Sequence, residues 1–174
     1  GGAPAAVLDF HGDGAMSEGD TNEAYVFAAS MNAPVVFVCV NNQWAISEPT
    51  KVQSPSSLFR RAIGFGIPAV QVDGNDVMAM TAVLRSALDH ARSGKGPVFV
   101  EAWTFRMGAH TTTDDPARYR TAEEESTWGK TDPIIRLRIY LQDRGVIDQA
   151  WLDGLAEREE AFGAEVRAAV HENA

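Results

Sequence analysis

Apolar residues fall along this chain in short runs and in helical spacings, and the two kinds alternate. Residues 7–10, 35–40, 69–72 and 98–105 read as strands. The second is apolar without alternation, as a strand covered on both faces should be. Between the first two, Ala24, Phe27, Ala28 and Met31 recur at helical spacing behind Asp20 or Thr21 as N-cap, and Pro34 closes the segment. A short helix is expected around residues 58–63. A longer one, capped by Asn75 or Asp76, shows Val77, Met80, Leu84, Leu88 and Ala91 on one face, with Gly94, Gly96 and Pro97 as its stop. Its methionines at 78 and 80 read as core filler. Strand and helix in alternation predict an α/β fold: a doubly wound, mostly parallel sheet with helices on both faces. Two helices follow. Asp132 and Pro133 open the first, with Ile134, Leu137 and Leu141 inward and Gly145 at its end; Asp148 opens the second, striped by Leu152, Leu155, Phe162, Val166 and Val170.

Two stretches break the periodicity. Residues 43–57 hold Trp44, Pro49 and an SPSS run, and have the composition either of a functional loop or of a mobile surface lid. Residues 106–130 carry His110, a run of three threonines, an adjacent pair of aspartates and Arg106, Arg118 and Arg120. A long irregular stretch inside a compact domain is functional or disordered.

The chemistry concentrates at the first strand–helix–strand unit. Asp13 stands between Gly12 and Gly14 at the end of one strand, and Asn42 follows the end of the next. In open parallel sheets ligands bind outside the carboxyl ends of the strands, so the two side chains are expected to share a crevice. Two hard oxygen donors suit Mg²⁺ or Ca²⁺, and magnesium usually completes its octahedron with substrate phosphate and water. A diphosphate is therefore expected there, approached by the glycine backbones and by the N–H groups of the helix that follows.

Composition narrows the field. The 174 residues are 45% hydrophobic, enough for one real core and a single domain over residues 1–174. A net charge of −9 argues against nucleic acid and means that a bound diphosphate needs a metal or local cations; the three arginines of the irregular stretch are candidates. No long apolar run and no basic-then-apolar leader occurs, so neither a membrane span nor secretion is expected. Cys39, the one cysteine, sits in VVFVCV and reads as a buried structural thiol. Residues 1–6 lead at once into a strand with nothing before it to cover the sheet, which suggests a missing element or a partner chain.

GDG, then 26 residues, then NN resembles the thiamine-diphosphate-binding signature. Three stretches extend the likeness to the whole chain: GDGAMSEGD with NNQWAIS, then RMGAHTTTDDPARYR, then WGKTDPIIRLRIYL. Together they resemble the C-terminal, cofactor-binding half of the alpha subunit of the decarboxylating component of 2-oxo acid dehydrogenase complexes. SEGD, AIS and HTTTDD favour the branched-chain type over the pyruvate type. The resemblance implies thiamine diphosphate and Mg²⁺ as cofactors, with Asp13, the Asn42 side chain and the Trp44 carbonyl as metal ligands. Gly12, Gly14, Ala15 and Ile46 border the cofactor, and His110 reaches its phosphate and lines the active site in a catalytic role. Thr111 stands where animal relatives carry a regulatory phosphoserine. The implied partners are a beta subunit, which holds the aminopyrimidine in a heterotetramer, and the lipoyl domain of the acyltransferase component; the small-molecule substrate is a 2-oxo acid. The implied location is cytoplasmic in a bacterium or the mitochondrial matrix in a eukaryote. Some branched-chain members carry a phosphate-binding arginine where this chain has Val40, and further cofactor contacts come from an N-terminal half outside this sequence. Two other readings remain: a transketolase or acetolactate-synthase relative, which should lack HTTTDDPARYR, and a non-catalytic doubly wound domain that binds a partner chain.

Overall fold

The computed structural model describes residues 5–172. In chain order its strands are β1 (Val7–Gly12), β2 (Val35–Asn41), the short hairpin pair β3 (Trp44–Ala45) and β4 (Glu48–Pro49), β5 (Ala69–Asp73) and β6 (Val98–Trp103). Its helices are α1 (Gly19–Ser30), α2 (Thr50–Gln53), α3 (Phe59–Gly64), α4 (Val77–Arg92), α5 (Ala122–Gly129), α6 (Pro133–Asp143) and α7 (Gln149–Glu172). The chain divides into two compact units, with the boundary between Pro133 and Ile134.

The first unit is built on a parallel sheet in the order β1-β2-β6-β5. Because side chains alternate along a strand, β2 sends Phe37 and Cys39 to one face and Val36 and Val38 to the other. Both faces are covered, which is why this strand is apolar without alternation. On one side α1 and α3 pack Tyr25, Ala28, Leu58 and Ala62 against Phe37, Cys39 and Phe99. On the other, α4 packs Ala87 and Ala91 against Val36, Val38, Val98 and Val100. Val36, Val38 and Val100 are wholly buried, each contributing about 1.5–3 kcal/mol of transfer free energy. The doubly wound reading holds, and so does the capping of α4. The Asp76 carboxylate accepts from the N–H groups of Met78 at 2.9 Å and Ala79 at 3.0 Å.

Three expectations change. α1 starts at Gly19, behind Glu18 rather than Asp20 or Thr21. It buries Tyr25 and Ala28 and leaves Phe27 and Met31 exposed. The reason is the Tyr25 hydroxyl, which finds His11 Nε2 at 3.1 Å and Met16 Sδ at 2.9 Å beneath the helix and turns that side of it inward. Met78 is exposed rather than core filler, while Met80 packs on the α4 side. At the sheet edge, Leu8 and Phe10 project to the α4 side, but α4 lies over β2, β5 and β6 and leaves them uncovered.

The second unit consists of α6 and α7. Gly145, at φ 64°, ends α6, and the Val146 N–H returns to the Leu141 carbonyl at 2.9 Å. Asp148 caps α7, accepting from Trp151 N–H at 2.8 Å. No described residue of either helix is buried: Ile134 is exposed rather than inward, and so are Phe162, Val166 and Val170 of the stripe.

Candidate functional site

Gly12 and Val40 are register partners, so β1 and β2 leave the sheet side by side at the same edge. Asp13 opens a single 3-10 turn, Asp13–Ser17, and is 2% exposed. Both hydrogen bonds it receives land on Oδ2, from the Thr50 hydroxyl at 2.8 Å and, more weakly, from Gln53 Nε2 at 3.4 Å. These donors stand at the two ends of α2. The stretch after β2 is thus joined to the acid through Thr50 and Gln53. The backbone next to Asp13 is this 3-10 turn; α1 begins only at Gly19, so its N-terminus does not follow directly on the glycines as expected.

Across the edge, Asn42 closes a tight turn, its Oδ1 accepting from Trp44 N–H at 3.1 Å. The β3–β4 hairpin follows. Gln43 sits at φ 71° and Ile46 at φ 56°. For a β-branched residue that is a strained backbone, worth about 1–3 kcal/mol, of the kind that clusters at ligand sites. Gly14 lies close under the hairpin, where a Cβ would stand 3.0 Å from that of Ala45. Gly12 has extended backbone and open space where its Cβ would be.

The irregular stretch after β6 is organised by arginines. Arg106 donates to the Trp44 carbonyl at 2.8 Å, the Ile46 carbonyl at 2.6 Å and the Tyr119 hydroxyl at 3.0 Å. Tyr119 donates its own proton to Asp114 at 2.6 Å, and the same carboxylate accepts from His110 N–H at 2.8 Å. The Tyr119 hydroxyl and the His110 amide together hold the Asp114 carboxyl below the usual range. Arg120, buried, donates to the carbonyls of Arg106, Met107 and Gly108 and to Glu125 at 2.7 Å. Its guanidinium lies 5.3 Å above the Phe105 ring, which stacks on Trp128. Arg106 and Arg120 are thus committed to holding the loop and are not the free diphosphate cations we expected; Arg118 is exposed. The loop is anchored by polar contacts, although it has few apolar ones.

Of the residues expected from sequence, Asp13, Gly14, Asn42, Trp44 and Ile46 are gathered around the β1–β2 edge and its hairpin. His110 is exposed, and no hydrogen bond joins its ring to Asp13, Asn42 or Trp44. Cys39 is wholly buried and burial pushes its thiol up, so it is the inert thiol expected. Thr50, Gln53, Asn41 and Glu101 escaped the reading. Only Glu101 carried a signal: a lone acid inside an apolar strand must find donors.

The donor set is a carboxylate, an amide oxygen and a backbone carbonyl. Among the described residues no three of His, Cys, Asp and Glu converge, so a cation here would draw on one carboxylate, two neutral oxygens and its ligand's own anion, which is how magnesium binds. Trp44 Nε1 is buried without a partner among the described residues, the kind of orphan donor that an acceptor-rich ligand satisfies. The residues fit a hydrated divalent cation with a diphosphate.

Compared with known proteins, residues 2–174 match the dehydrogenase E1 component family. The chain belongs to that family. The dehydrogenase E1 component relatives include the 3-methyl-2-oxobutanoate dehydrogenase subunit alpha of Mycobacterium tuberculosis, 49% identical over 95% of this chain and 46% of the relative. The pyruvate dehydrogenase E1 component subunit alpha of Acholeplasma laidlawii is 52% identical over 77% of this chain and 39% of its own length. The subunit of that name in Staphylococcus aureus is 40% identical over 98% and 46%. The chain spans less than half the length of these E1 relatives.

Proposed function

We propose that this chain is the diphosphate- and Mg²⁺-binding half of the alpha subunit of a thiamine-diphosphate-dependent 2-oxo acid dehydrogenase, acting on a branched-chain 2-oxo acid. The observation that carries the reading is the Asp13 carboxylate, gripped on one oxygen by Thr50 and Gln53 beside the Asn42–Trp44 turn. Asp13, the Asn42 side chain and the Trp44 carbonyl would hold the metal. Gly12, Gly14 and Ala15 would lie along the diphosphate, with Ile46 and His110 bordering the cofactor. When bound, thiamine diphosphate supplies the carbon nucleophile and electron sink for decarboxylation.

The chain's own work is positional. Thr50 and Gln53 fix which Asp13 oxygen faces the cation, the strained hairpin holds the Trp44 carbonyl, and Arg106 ties the His110 loop to that hairpin. A cation at Trp44 would stand beside the Arg106 guanidinium, so the diphosphate's negative charge is needed to offset both. That coupling makes metal binding depend on the cofactor.

A beta subunit and the lipoyl domain of an acyltransferase component are the proposed partners, with oxidative acyl transfer to the lipoyl group as the overall reaction. The branched-chain assignment is supported by the relative from Mycobacterium tuberculosis, and the pyruvate assignment by the two others. The proposed location follows: cytoplasm in a bacterium, mitochondrial matrix in a eukaryote. No helix among the described residues is long and apolar enough to cross a membrane.

The test is release of carbon dioxide by the full-length alpha chain assembled with its beta subunit. Turnover should require both Mg²⁺ and thiamine diphosphate and favour 3-methyl-2-oxobutanoate over pyruvate. Preference for pyruvate would reverse the substrate assignment alone; turnover without thiamine diphosphate would end the reading.

A further inference from the structure

Glu101 is wholly buried at the middle of β6, level with Cys39 of β2 and Gln71 of β5. Its hydrogen-bond partners among the described residues are two neutral donors: Asn41 Nδ2 reaches Oε1 at 2.7 Å, and the Phe59 N–H reaches Oε2 at 3.0 Å. A carboxylate buried with no ion-pair partner among the described residues is costly to keep out of water. Its effect must lie in what it imposes on its neighbours.

Both Glu101 oxygens accept, so the residue turns the NH₂ of Asn41 toward itself and leaves the Asn41 oxygen facing away. That oxygen accepts from Gln43 N–H at 3.0 Å and lies 3.1 Å from the Thr50 hydroxyl, which is itself 2.8 Å from Asp13. Gln43, at φ 71°, is the pivot between Asn42 and Trp44. We propose that Glu101 is a positioning residue for the cofactor site: by fixing the direction of the Asn41 amide it latches the Gln43 N–H, and with it the turn carrying the two ligands Asn42 and Trp44. The importance of the latch for cofactor rests on the function proposed above; the latch itself does not.

Hydrogen-bond polarity supplies the test. In Glu101→Gln the new amide offers one acceptor and one donor. If its oxygen keeps Phe59, its NH₂ meets that of Asn41; Asn41 must flip, and two donors then face each other at Gln43. The double variant Asn41→Asp with Glu101→Gln reverses the pair with the same atoms and the same charge. The amide introduced on β6 then donates to the carboxylate introduced on β2, whose other oxygen still accepts from Gln43. A carboxylate that merely capped α3 at Phe59 would predict no change at Gln43, since glutamine can cap equally well.

Amide exchange at Gln43 and Trp44 is measured on the metal-free full-length alpha chain, and Mg²⁺-dependent binding of thiamine diphosphate by calorimetry on the complex with its beta subunit. Glu101→Gln should speed exchange at Gln43 and weaken cofactor binding by about tenfold, with β2 amides still protected, and the double variant should restore both. Unchanged exchange at Gln43 in Glu101→Gln overturns the proposal. So does a double variant as open as the single one, because the carboxylate would then act through its location rather than through amide direction. If Glu101→Gln fails to fold, the double variant decides: folding with Gln43 protected supports the latch, and failing again refutes it. Exchange that follows the pattern while even the wild-type complex binds no thiamine diphosphate would leave the latch standing and remove the proposed function.

Discussion

Asp13 looked like a residue at the rim of the sheet, yet it is 2% exposed and is the acceptor for Thr50 and Gln53. Asp13→Ala should therefore abolish metal-dependent cofactor binding in calorimetry and also cost about 1–3 kcal/mol in a denaturant melt, because Thr50 and Gln53 lose the acceptor they share. The variant should still fold, since no apolar contact of the core is removed; binding like wild type would dismiss the metal assignment. Ile46 makes the opposite trade. Replacing it with glycine relieves the left-handed strain and should raise stability by about 1 kcal/mol, while thiamine diphosphate binds more weakly for want of the exposed side chain. Unchanged affinity would mean that Ile46 has no part in the site, and a drop in stability that its side chain packs in the fold.

Among the elements, the segment from Arg106 to Arg120 behaves as a loop pinned by hydrogen bonds rather than by packing. Arg120→Ala strands three carbonyls and Glu125, and should make the loop the first site of proteolytic nicking while the sheet stays protected from hydrogen exchange. Asp114 gives the loop a pH signature. Its carboxyl is held below the ordinary aspartate value near 3.9 by the Tyr119 hydroxyl and the His110 N–H. A depressed acid contributes order that is present above the unfolded value and lost as pH falls through the folded one. Exchange at the His110 amide should thus stay slow down to about pH 4 and quicken only below it, and Asp114→Asn should remove that acid-side step. An amide that loosens between about pH 5 and 6 instead would place the control with a histidine.

At the scale of the molecule, the uncovered side chains matter most. Leu8 and Phe10 on β1, Phe27 on α1, Met31 just after it, and Phe162 and Val170 on α7 are exposed on a chain of only 174 residues. Leu8 and Phe10 lie on the part of the sheet that α4 leaves uncovered, where a partner surface would bury them. The purified 174-residue chain should self-associate in light scattering, or be captured by a beta subunit. It should release no carbon dioxide from a 2-oxo acid, since in the proposed assembly the beta subunit holds the aminopyrimidine. Turnover by the isolated chain would refute that expectation.

What the sequence determined by itself was whatever rests on local pattern. Runs such as VVFVCV, short, β-branched and closed off by Pro34 and the asparagine pair, read as strands covered on both faces, Asp76 caps because it precedes an amphipathic stretch, and a GDG and an NN separated by strand, helix and strand come to the same edge of a parallel sheet. Direction and partnership were decided only in three dimensions. Which side of α1 turns inward was set by the Tyr25 hydroxyl finding His11 and Met16, contacts 14 and 9 residues away. The arginines went to backbone carbonyls because buried carbonyls must be satisfied before a charge is free for a ligand. The support of Asp13 came from Thr50 and Gln53, and that of the Asn42 turn from Asn41 and Glu101, 60 residues apart. Hydrogen-bond polarity between side chains so distant in sequence leaves no periodic trace along it; it exists only once the sheet has brought them together.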